Sequence, residues 1–417
     1  MNDVSKTFCI LPWTHLATYT DGSVLLCCVA KNNLRLNLNE TTLAKAWNSD
    51  ELKEARQKML RGQQVSSCTR CYREESVGYE SHRLAENKAW ELRFTKEWLQ
   101  GRVSSTQEDG HLEEGLVSVD LRLGNTCNLT CVMCRPKDSS KWTGLAKKLE
   151  NSVRNEGLYH EWKNAAEINQ SRFEWYKNSE FWNDLLSVLP SIRELILGGG
   201  EPMLLDEHLA LIEACVSSGH AEHIQLRYHT NGTILDEKIF ELWKHFKLVE
   251  TFVSVDAIGE RNHYMRHPAI WTNVEKNLHK LDNYPHKNLR VLLLCSVHLM
   301  SVFYLDEFAK WVQDQNFKLV AAGADGYFHP GVVHEPTYLS IQALPQDLKK
   351  IITEKVRAFE SISKNRSSKI GGIINFMNAA DQSQLLSKSK EYIRSIDEAR
   401  KTSFAKSLPE LQEFLQF

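Results

Sequence analysis

Apolar positions change rhythm along the chain. Phe8–Tyr19 and Val24–Val29 are two apolar-rich runs either side of Asp21-Gly22, which reads as a hairpin. Leu43–Leu60 then places Leu43, Ala46, Trp47, Leu52, Ala55, Met59 and Leu60 at helical spacing, with Asn39 and Thr41 as caps before it. A loop carrying Cys68-Thr-Arg-Cys71 closes a first unit, residues 1–85. Residues 86–114 are charged, and Ser104–Glu114 is polar without period, so this stretch is expected to be a linker. From Leu116 short β-rich runs alternate with helical stretches: Val117–Leu123, Glu194–Leu197, Ile224–Tyr228, Phe252–Val255, Leu289–Val297 and Lys318–Ala321. Several are continuously apolar, as strands buried on both faces should be. Strand–helix repetition implies parallel strands with right-handed crossovers. Six strands predict an α/β domain over 115–330, a partial (β/α)6 barrel or an open sheet rather than a closed eight-stranded barrel. Residues 137–190 carry Trp142, Trp162, Trp175 and Trp182 among many charges and read as a helical insertion in that domain. Residues 331–417 read as loop, then amphipathic helix from Leu344 to Ile362, then further helix to Phe417, a helical extension.

Charge narrows the function classes. The 51 basic and 53 acidic side chains leave a formal charge of −2, so nothing global favours nucleic acid or an anionic membrane as partner. The 42% apolar and 25% charged composition excludes a disordered chain. Apolar runs such as Val291–Cys295 are far short of a bilayer span, and the N-terminus lacks the charged-then-apolar form of a signal peptide. A cytoplasmic location with reduced thiols is expected. In that setting the ten cysteines stand out, because eight of them fall before residue 135 in two groups. Such grouping reads as metal or cluster ligation rather than disulfides.

Cys127-x3-Cys131-x2-Cys134 follows the first barrel strand, at the end where parallel α/β folds keep their chemistry. Three thiolates facing one point can hold three irons of a [4Fe–4S] cluster and leave the fourth open. A closed zinc site needs four ligands, and no fourth Cys or His lies in the loop. The other group is Cys9, Cys27, Cys28, Cys68 and Cys71. Four thiolates from a hairpin and a Cys-x2-Cys loop suit either tetrahedral zinc or a fully ligated iron–sulfur cluster, and spacing does not choose between them. Cys215 and Cys295 lie in helical and strand texture and read as core residues.

Cys127-Asn-Leu-Thr-Cys131-Val-Met-Cys134 resembles the signature of the radical S-adenosylmethionine (SAM) superfamily. Gly198-Gly199-Gly200-Glu201-Pro202, His229-Thr230-Asn231-Gly232 and Ser254-Val255-Asp256-Ala257, with Tyr264 and Arg266 downstream, follow in that family's order. The resemblance covers about residues 115–325. It implies reductive cleavage of SAM to a 5′-deoxyadenosyl radical that takes a hydrogen atom from an unactivated carbon. It further implies that Gly199, Gly200 and Glu201 meet the SAM amine, Thr230, Asn231 and Ser254 the ribose, and Arg266 the carboxylate, while Val297 or His298 bounds the adenine. Residues 1–80 resemble the SPASM/Twitch auxiliary-cluster module, in its shorter single-cluster form. Its ligands would be Cys9, Cys27, Cys68 and Cys71. The Gly-x4-Cys count favours Cys27 over Cys28, and strand alternation lets only one of the two face the cluster. The module usually follows the radical core, whereas here it precedes it.

The implied cofactors are SAM and two [4Fe–4S] clusters, and the implied partners are a flavodoxin- or ferredoxin-like reductant and a peptide, protein or small sugar-like substrate. No winged-helix leader-binding segment is evident. Asp256, Tyr264, Asp325 and His329 sit near strand ends as substrate or proton-transfer candidates. A zinc-stabilised, non-catalytic binding protein on the same fold is the competing expectation.

Overall fold

The computed structural model describes residues 5–31, 33–321, 328–362 and 368–416. The N-terminal unit begins with a 3-10 turn at Leu11–Trp13, followed by β1 (His15–Thr18), β2 (Ser23–Leu25) and β3 (Asn33–Asn37). The expected first hairpin arm is therefore shorter than its apolar run. Pro12 sits inside the turn and lacks the N–H a strand would use. The expected helix over 43–60 is two, α1 (Leu43–Trp47) and α2 (Asp50–Leu60), interrupted at Asn48-Ser49. Thr42, not Asn39 or Thr41, supplies the cap: its hydroxyl accepts from the Lys45 N–H at 3.2 Å. α3 (Thr69–Ser76) carries Cys71.

The stretch expected to be a linker is mostly helix, α4 (His82–Arg93) and α5 (Lys96–Ser104), and it wraps the N-terminal unit. Trp90 and Leu99 are fully buried. Asn87 Oδ1 accepts from the Ile10 N–H at 2.9 Å, Arg102 Nε donates to the Trp13 carbonyl at 2.9 Å, and Arg56 Nη1 reaches the Gly110 carbonyl at 3.1 Å. The many charges that made it look like a linker are, in part, arginines spent on backbone carbonyls.

The α/β domain follows in order. β4 (Ser118–Arg122) leads into the insertion α6 (Trp142–Ser152), α7 (Glu156–Ala166) and α8 (Ser179–Val188). Then come β5 (Glu194–Gly198), α9 (Asp206–Ser217), β6 (Gln225–Thr230), α10 (Glu237–Trp243), β7 (Leu248–Ser254), α11 (Gly259–Met265), α12 (Trp271–Asp282), β8 (Leu289–Val297), α13 (Leu305–Gln315) and β9 (His329–Val332). β4 to β9 are parallel neighbours in sequence order, a six-stranded half barrel. The sixth strand is His329–Val332. The expected Lys318–Ala321 makes only a bridge, Val320 to Val291. Asp282 Oδ1 captures the N–H groups of Lys318, Leu319 and Val320 at 2.7–3.0 Å, which takes those donors from a ladder. The 330 boundary expected for this domain thus falls inside β9.

The N-terminal strands extend the same sheet. β1 pairs in parallel with β4, His15 opposite Ser118 and Ala17 opposite Asp120, giving the order β3-β2-β1-β4-β5-β6-β7-β8-β9. Along β8, Leu289, Val291, Leu293, Cys295 and Val297 are buried, while Leu292, Leu294 and Ser296 between them are half-buried. The first set packs under the helices. The second faces a hollow lumen, so the continuous apolar run is buried completely on one face only. A helical tail completes the chain: α14 (Gln346–Ile362), α15 (Ser368–Asn378), α16 (Leu386–Arg400), α17 (Phe404–Ser407) and α18 (Pro409–Leu415).

Candidate active site

The loop after β4 holds Cys127, Cys131 and Cys134 and is fixed from several sides. The Thr130 and Val132 N–H groups donate to the carbonyls of His267 and Met265 at 2.6 and 2.8 Å. Trp142 Nε1 donates to the Cys131 carbonyl at 3.1 Å. From the tail, the Tyr392 hydroxyl donates to the Val132 carbonyl at 2.7 Å, and Arg400 donates to the Thr130 carbonyl. Trp142, Trp162 and Tyr392 stack in series, with Arg135 over Trp162 and Arg400 over Trp142. The Trp-rich insertion and the tail therefore brace the back of the cysteine loop. The Cys131 and Cys134 thiols hydrogen-bond each other, lowering one and raising the other, while burial pushes the Cys127 thiol up to about 12. Crowded thiols with raised pKa values are the donor chemistry that a cationic cluster relieves.

The glycine segment locks to that loop. The Gly200 N–H donates to the Gly124 carbonyl at 3.1 Å, and the Glu201 N–H to the Thr126 carbonyl at 2.7 Å. Gly199 has φ +116°, and a Cβ on Gly200 would meet the Thr126 carbonyl oxygen at 2.1 Å, so this close approach requires glycine. Glu201 is fully buried and accepts from the Thr230 hydroxyl at 2.9 Å, the Asn231 N–H at 2.7 Å and the Met203 N–H at 3.2 Å. Burial nevertheless raises its carboxyl to about 7. Asn231 Nδ2 lies 3.9 Å from Cys127 Sγ. Gly199, Gly200, Glu201, Thr230, Asn231 and the cysteine loop thus form one knot.

Arg266 and Asp256 are both buried and form a two-pronged pair, Nε to Oδ2 at 2.8 Å and Nη2 to Oδ1 at 2.9 Å. Asp256 Oδ1 also accepts from the Ser296 N–H at 2.8 Å. Ser254 ends β7 half-buried on the lumen face. Val297 does not: it is fully buried on the helix-facing side, and its carbonyl accepts from the Val333 N–H. Alternation puts Ser296, one residue earlier, on the lumen face instead. His298 is fully buried, with Nδ1 accepting from the Met300 N–H. Tyr264 is buried and meets Phe404 of the tail edge-on, and Asp325 lies outside the described residues.

Cys9, Cys27, Cys68 and Cys71 are all buried, and the repulsion of neighbouring thiols adds to burial in raising the first three. The neighbours felt by Cys27 include Cys9 and Cys68. Cys28 turns the other way and lies 3.6 Å from His82 Nε2. Burial opposes a charged pair there. The mutual interaction outweighs it, lowering the Cys28 thiol and raising His82 to about 9. Among the described residues no three Cys, His, Asp or Glu side chains gather as one bound metal ion would require. Cys215 and Cys295 are fully buried core residues.

Two family profiles match this arrangement. That of the Radical SAM superfamily covers residues 121–307, and that of SPASM, an iron-sulfur cluster-binding domain, covers residues 9–72. The chain carries a radical SAM domain. That superfamily is one of enzymes, and the chain's domains imply SAM and a [4Fe–4S] cluster for the core and further iron–sulfur binding for the SPASM unit. The second profile begins at Cys9 and ends just beyond Cys71, so it spans the whole N-terminal thiol set. Among solved structures, native anSMEcpe with bound AdoMet is 17% identical (TM-score 0.36), over 59% of this chain and 61% of that one. SuiB of Streptococcus suis bound to S-adenosylmethionine is 12% identical (TM-score 0.37), over 87% and 71%. TYW1 with a lysine-pyruvate adduct bound is 13% identical (TM-score 0.29), over 58% and 72%. The chain thus spans about three-fifths of the length of anSMEcpe. No curated protein matches.

In this radical SAM protein the lumen below the cysteine loop carries groups that motif reading passed over. Ser118, Asp120 and Arg122 share the lumen face of β4, and Arg227 and His229 that of β6. At the lower end Arg227 and Arg93 clasp Glu194, and Arg227 Nε meets Glu250 at 2.8 Å. At the upper end His229 is exposed by area, although burial lowers its pKa to about 3, as fits a ring bordering an internal chamber. His229 stacks on Phe252 at 5.0 Å, and His329 faces the same space from β9. The strict polar–apolar alternation Ser118-Val-Asp120-Leu-Arg122 was the available signal. A cleft of about 610 Å³ opens beside the cysteine loop, walled by Tyr19, Met133, Lys137, Glu161, Ile168 and Pro336. Among the described residues no helix is long and apolar enough to cross a membrane.

Proposed function

We propose that the chain cleaves SAM reductively and abstracts a hydrogen atom from an unactivated C–H of a peptide, protein or small-metabolite substrate in the lumen. The observation that carries this is the knot between the three-cysteine loop and Gly199-Gly200-Glu201 at the mouth of a hollow, charge-lined half barrel. Cys127, Cys131 and Cys134 would hold a [4Fe–4S] cluster, and Cys9, Cys27, Cys68 and Cys71 a second. When bound, the first cluster and SAM supply a 5′-deoxyadenosyl radical. This chain's residues bind and orient. The Gly199–Gly200 backbone comes near enough for carbonyls to accept from an ammonium, and Glu201 fixes the Thr230-Asn231 turn whose polar groups reach a ribose. Arg266, held by Asp256, presents positive charge to a carboxylate, and Ser254 lies on the same lumen face. The insertion and tail exclude water behind the loop. The auxiliary site is assigned to electron transfer, and a flavodoxin- or ferredoxin-like protein to reduction.

Anaerobically reconstituted protein should hold about eight irons per chain and form 5′-deoxyadenosine with a strong reductant. Cys131→Ala should lose that product. Zinc without iron in reconstituted protein, or full cleavage in Cys131→Ala, refutes the reading.

A further inference from the structure

The deep arginines of this protein are spoken for. Arg227 and Arg93 hold Glu194, Arg135 holds Glu161, Arg266 holds Asp256, Arg83 holds Glu75, and Arg56, Arg102 and Arg400 donate to backbone carbonyls. Arg122 differs. Among the described residues no hydrogen bond or ion pair holds its guanidinium, although it is only half-exposed at the top of β4 on the lumen face. Burial opposes its charge, yet Asp120 and Cys28 nearby keep it protonated. Asp120, one pleat below, is buried, and its carboxylate too has no hydrogen-bond donor among the described residues. Across the sheet Arg122 pairs in register with Gly198 of β5. A Cβ on Gly198 would sit 3.7 Å from the Cβ of His229 on β6. Arg122 and His229 therefore flank a strand position with no side chain. With strands about 4.8 Å apart, the two stand about 10 Å apart at the backbone, leaving a notch between them floored by Gly198.

We propose that this notch is a substrate anchor for a carboxylate, with the Arg122 fork donating to both oxygens and His229 closing the other side. The proposal rests on the lumen being the reaction chamber and adds the chemical class that enters it. A fork of N–H donors matches a planar carboxylate, and an unmet guanidinium in an enclosed space strongly favours an anion. Asp120 beneath sets a limit: a monoanion is drawn in by Arg122, whereas a phosphate dianion meets the Asp120 charge at close range. The notch sits between β4 and β6, whereas the Arg266–Asp256 pair follows β7 and touches Ser296 of β8, further along the sheet. The anchor is therefore distinct from the group assigned to the SAM carboxylate. The carboxylate could belong to a peptide terminus or acidic side chain, or to a small free acid.

The test uses the reconstituted holoenzyme with SAM bound, in equilibrium dialysis against four probes: pooled small mono- and dicarboxylic acids, tripeptides with free C-termini, the same tripeptides amidated, and inorganic phosphate. Carboxylate-bearing members should be retained, and amidated tripeptides without acidic side chains should not. Retention by the acid pool alone or by the peptide pool alone identifies the source. Arg122→Met should weaken retention at least tenfold with SAM affinity unchanged, and Arg122→Lys should restore part of it. Should Arg122→Met fail to fold, Arg122→Gln carries the same expectation. No retained carboxylate in the wild type, equal retention of acid and amide, or stronger retention of phosphate overturns the proposal. So does a tenfold loss of SAM affinity in Arg122→Met, which would make Arg122 a cofactor ligand. Failure of the wild type to cleave SAM refutes the proposed function separately, since the dialysis reads binding alone.

Discussion

Replacing Gly200 by alanine tests whether the glycine segment and the cysteine loop are one structural unit. The new Cβ would lie 2.1 Å from the Thr126 carbonyl oxygen, 2.5 Å from its carbon and 2.7 Å from the Asn125 carbon. All three are backbone atoms, so no side-chain rotation relieves the contact. Restoring van der Waals separation needs a shift of about 1 Å in a region packed to crystal-like density. That strain costs about 1–3 kcal/mol. The shift also stretches the Gly200–Gly124 and Glu201–Thr126 hydrogen bonds, about 0.5–1.5 kcal/mol each. A total of about 2–6 kcal/mol is expected, and because Thr126 precedes Cys127, the movement is delivered to the first cluster ligand. The assay pairs thermal melting of metal-free protein with iron and sulfide content after reconstitution. Gly200→Ala should melt several degrees lower and lose the core cluster while keeping the auxiliary one. Gly144→Ala is the control: it lies exposed in α6 with nothing near its Cβ position and should gain up to about 1 kcal/mol of helix stability. A Gly200→Ala protein with full iron and an unchanged melting temperature would refute the coupling.

Three further outcomes are expected. Cys27→Ala should lose about four irons per chain while Cys28→Ala keeps them, and the reverse pattern in iron analysis would exchange their roles. Asp256→Asn leaves the buried Arg266 without its counter-charge and should destabilise by about 3–5 kcal/mol in urea unfolding; a change under 1 kcal/mol would show the pair to be dispensable. Burial depresses His15, His208 and His298 to about 4, from 6.5, so below pH 6.5 the unfolded chain binds protons that the native one refuses, and stability falls with acidification. From pH 6.5 to 5 that is about 2 kcal/mol each. Glu201, raised to about 7, runs the other way by a similar amount, because its stability contribution is present at low pH and lost as pH rises from 4.5 to 7. The depressed histidines outnumber Glu201, so the melting temperature should fall from pH 7 to 5, and one flat over that range would contradict these assignments.

The chemistry of the site was more legible in the sequence than its support. Cys127, Cys131, Cys134 and Gly199-Gly200-Glu201 announce themselves because each needs a particular residue type at a particular spacing. What lay beyond reach depended on facing. Val297 and Ser296 are neighbours in an apolar run, and only the sheet's pleat shows that the serine meets the lumen. Arg102 contributed to the charged look of residues 86–114, yet it is buried on the carbonyls of Trp13 and Gly115, which no local pattern reveals. The sixth strand moved because Asp282, some 36 residues earlier, takes the amides of 318–320. The tail showed amphipathic helices, but not that Tyr392 and Arg400 would reach back about 260 residues to the cysteine loop.

The pairing of β1 with β4 bears on how the auxiliary unit can be studied. A half barrel has two raw sheet edges, and one of them is β4, the strand that launches the cysteine loop. Three N-terminal strands cap that edge. Removing residues 1–85 to ask what the second cluster does would also expose a row of unsatisfied amides and carbonyls on β4, an invitation to self-association. A truncated core that precipitates or loses iron would then report a missing strand rather than a missing electron carrier. The cluster's contribution has to be read from cysteine substitutions that leave the edge sealed.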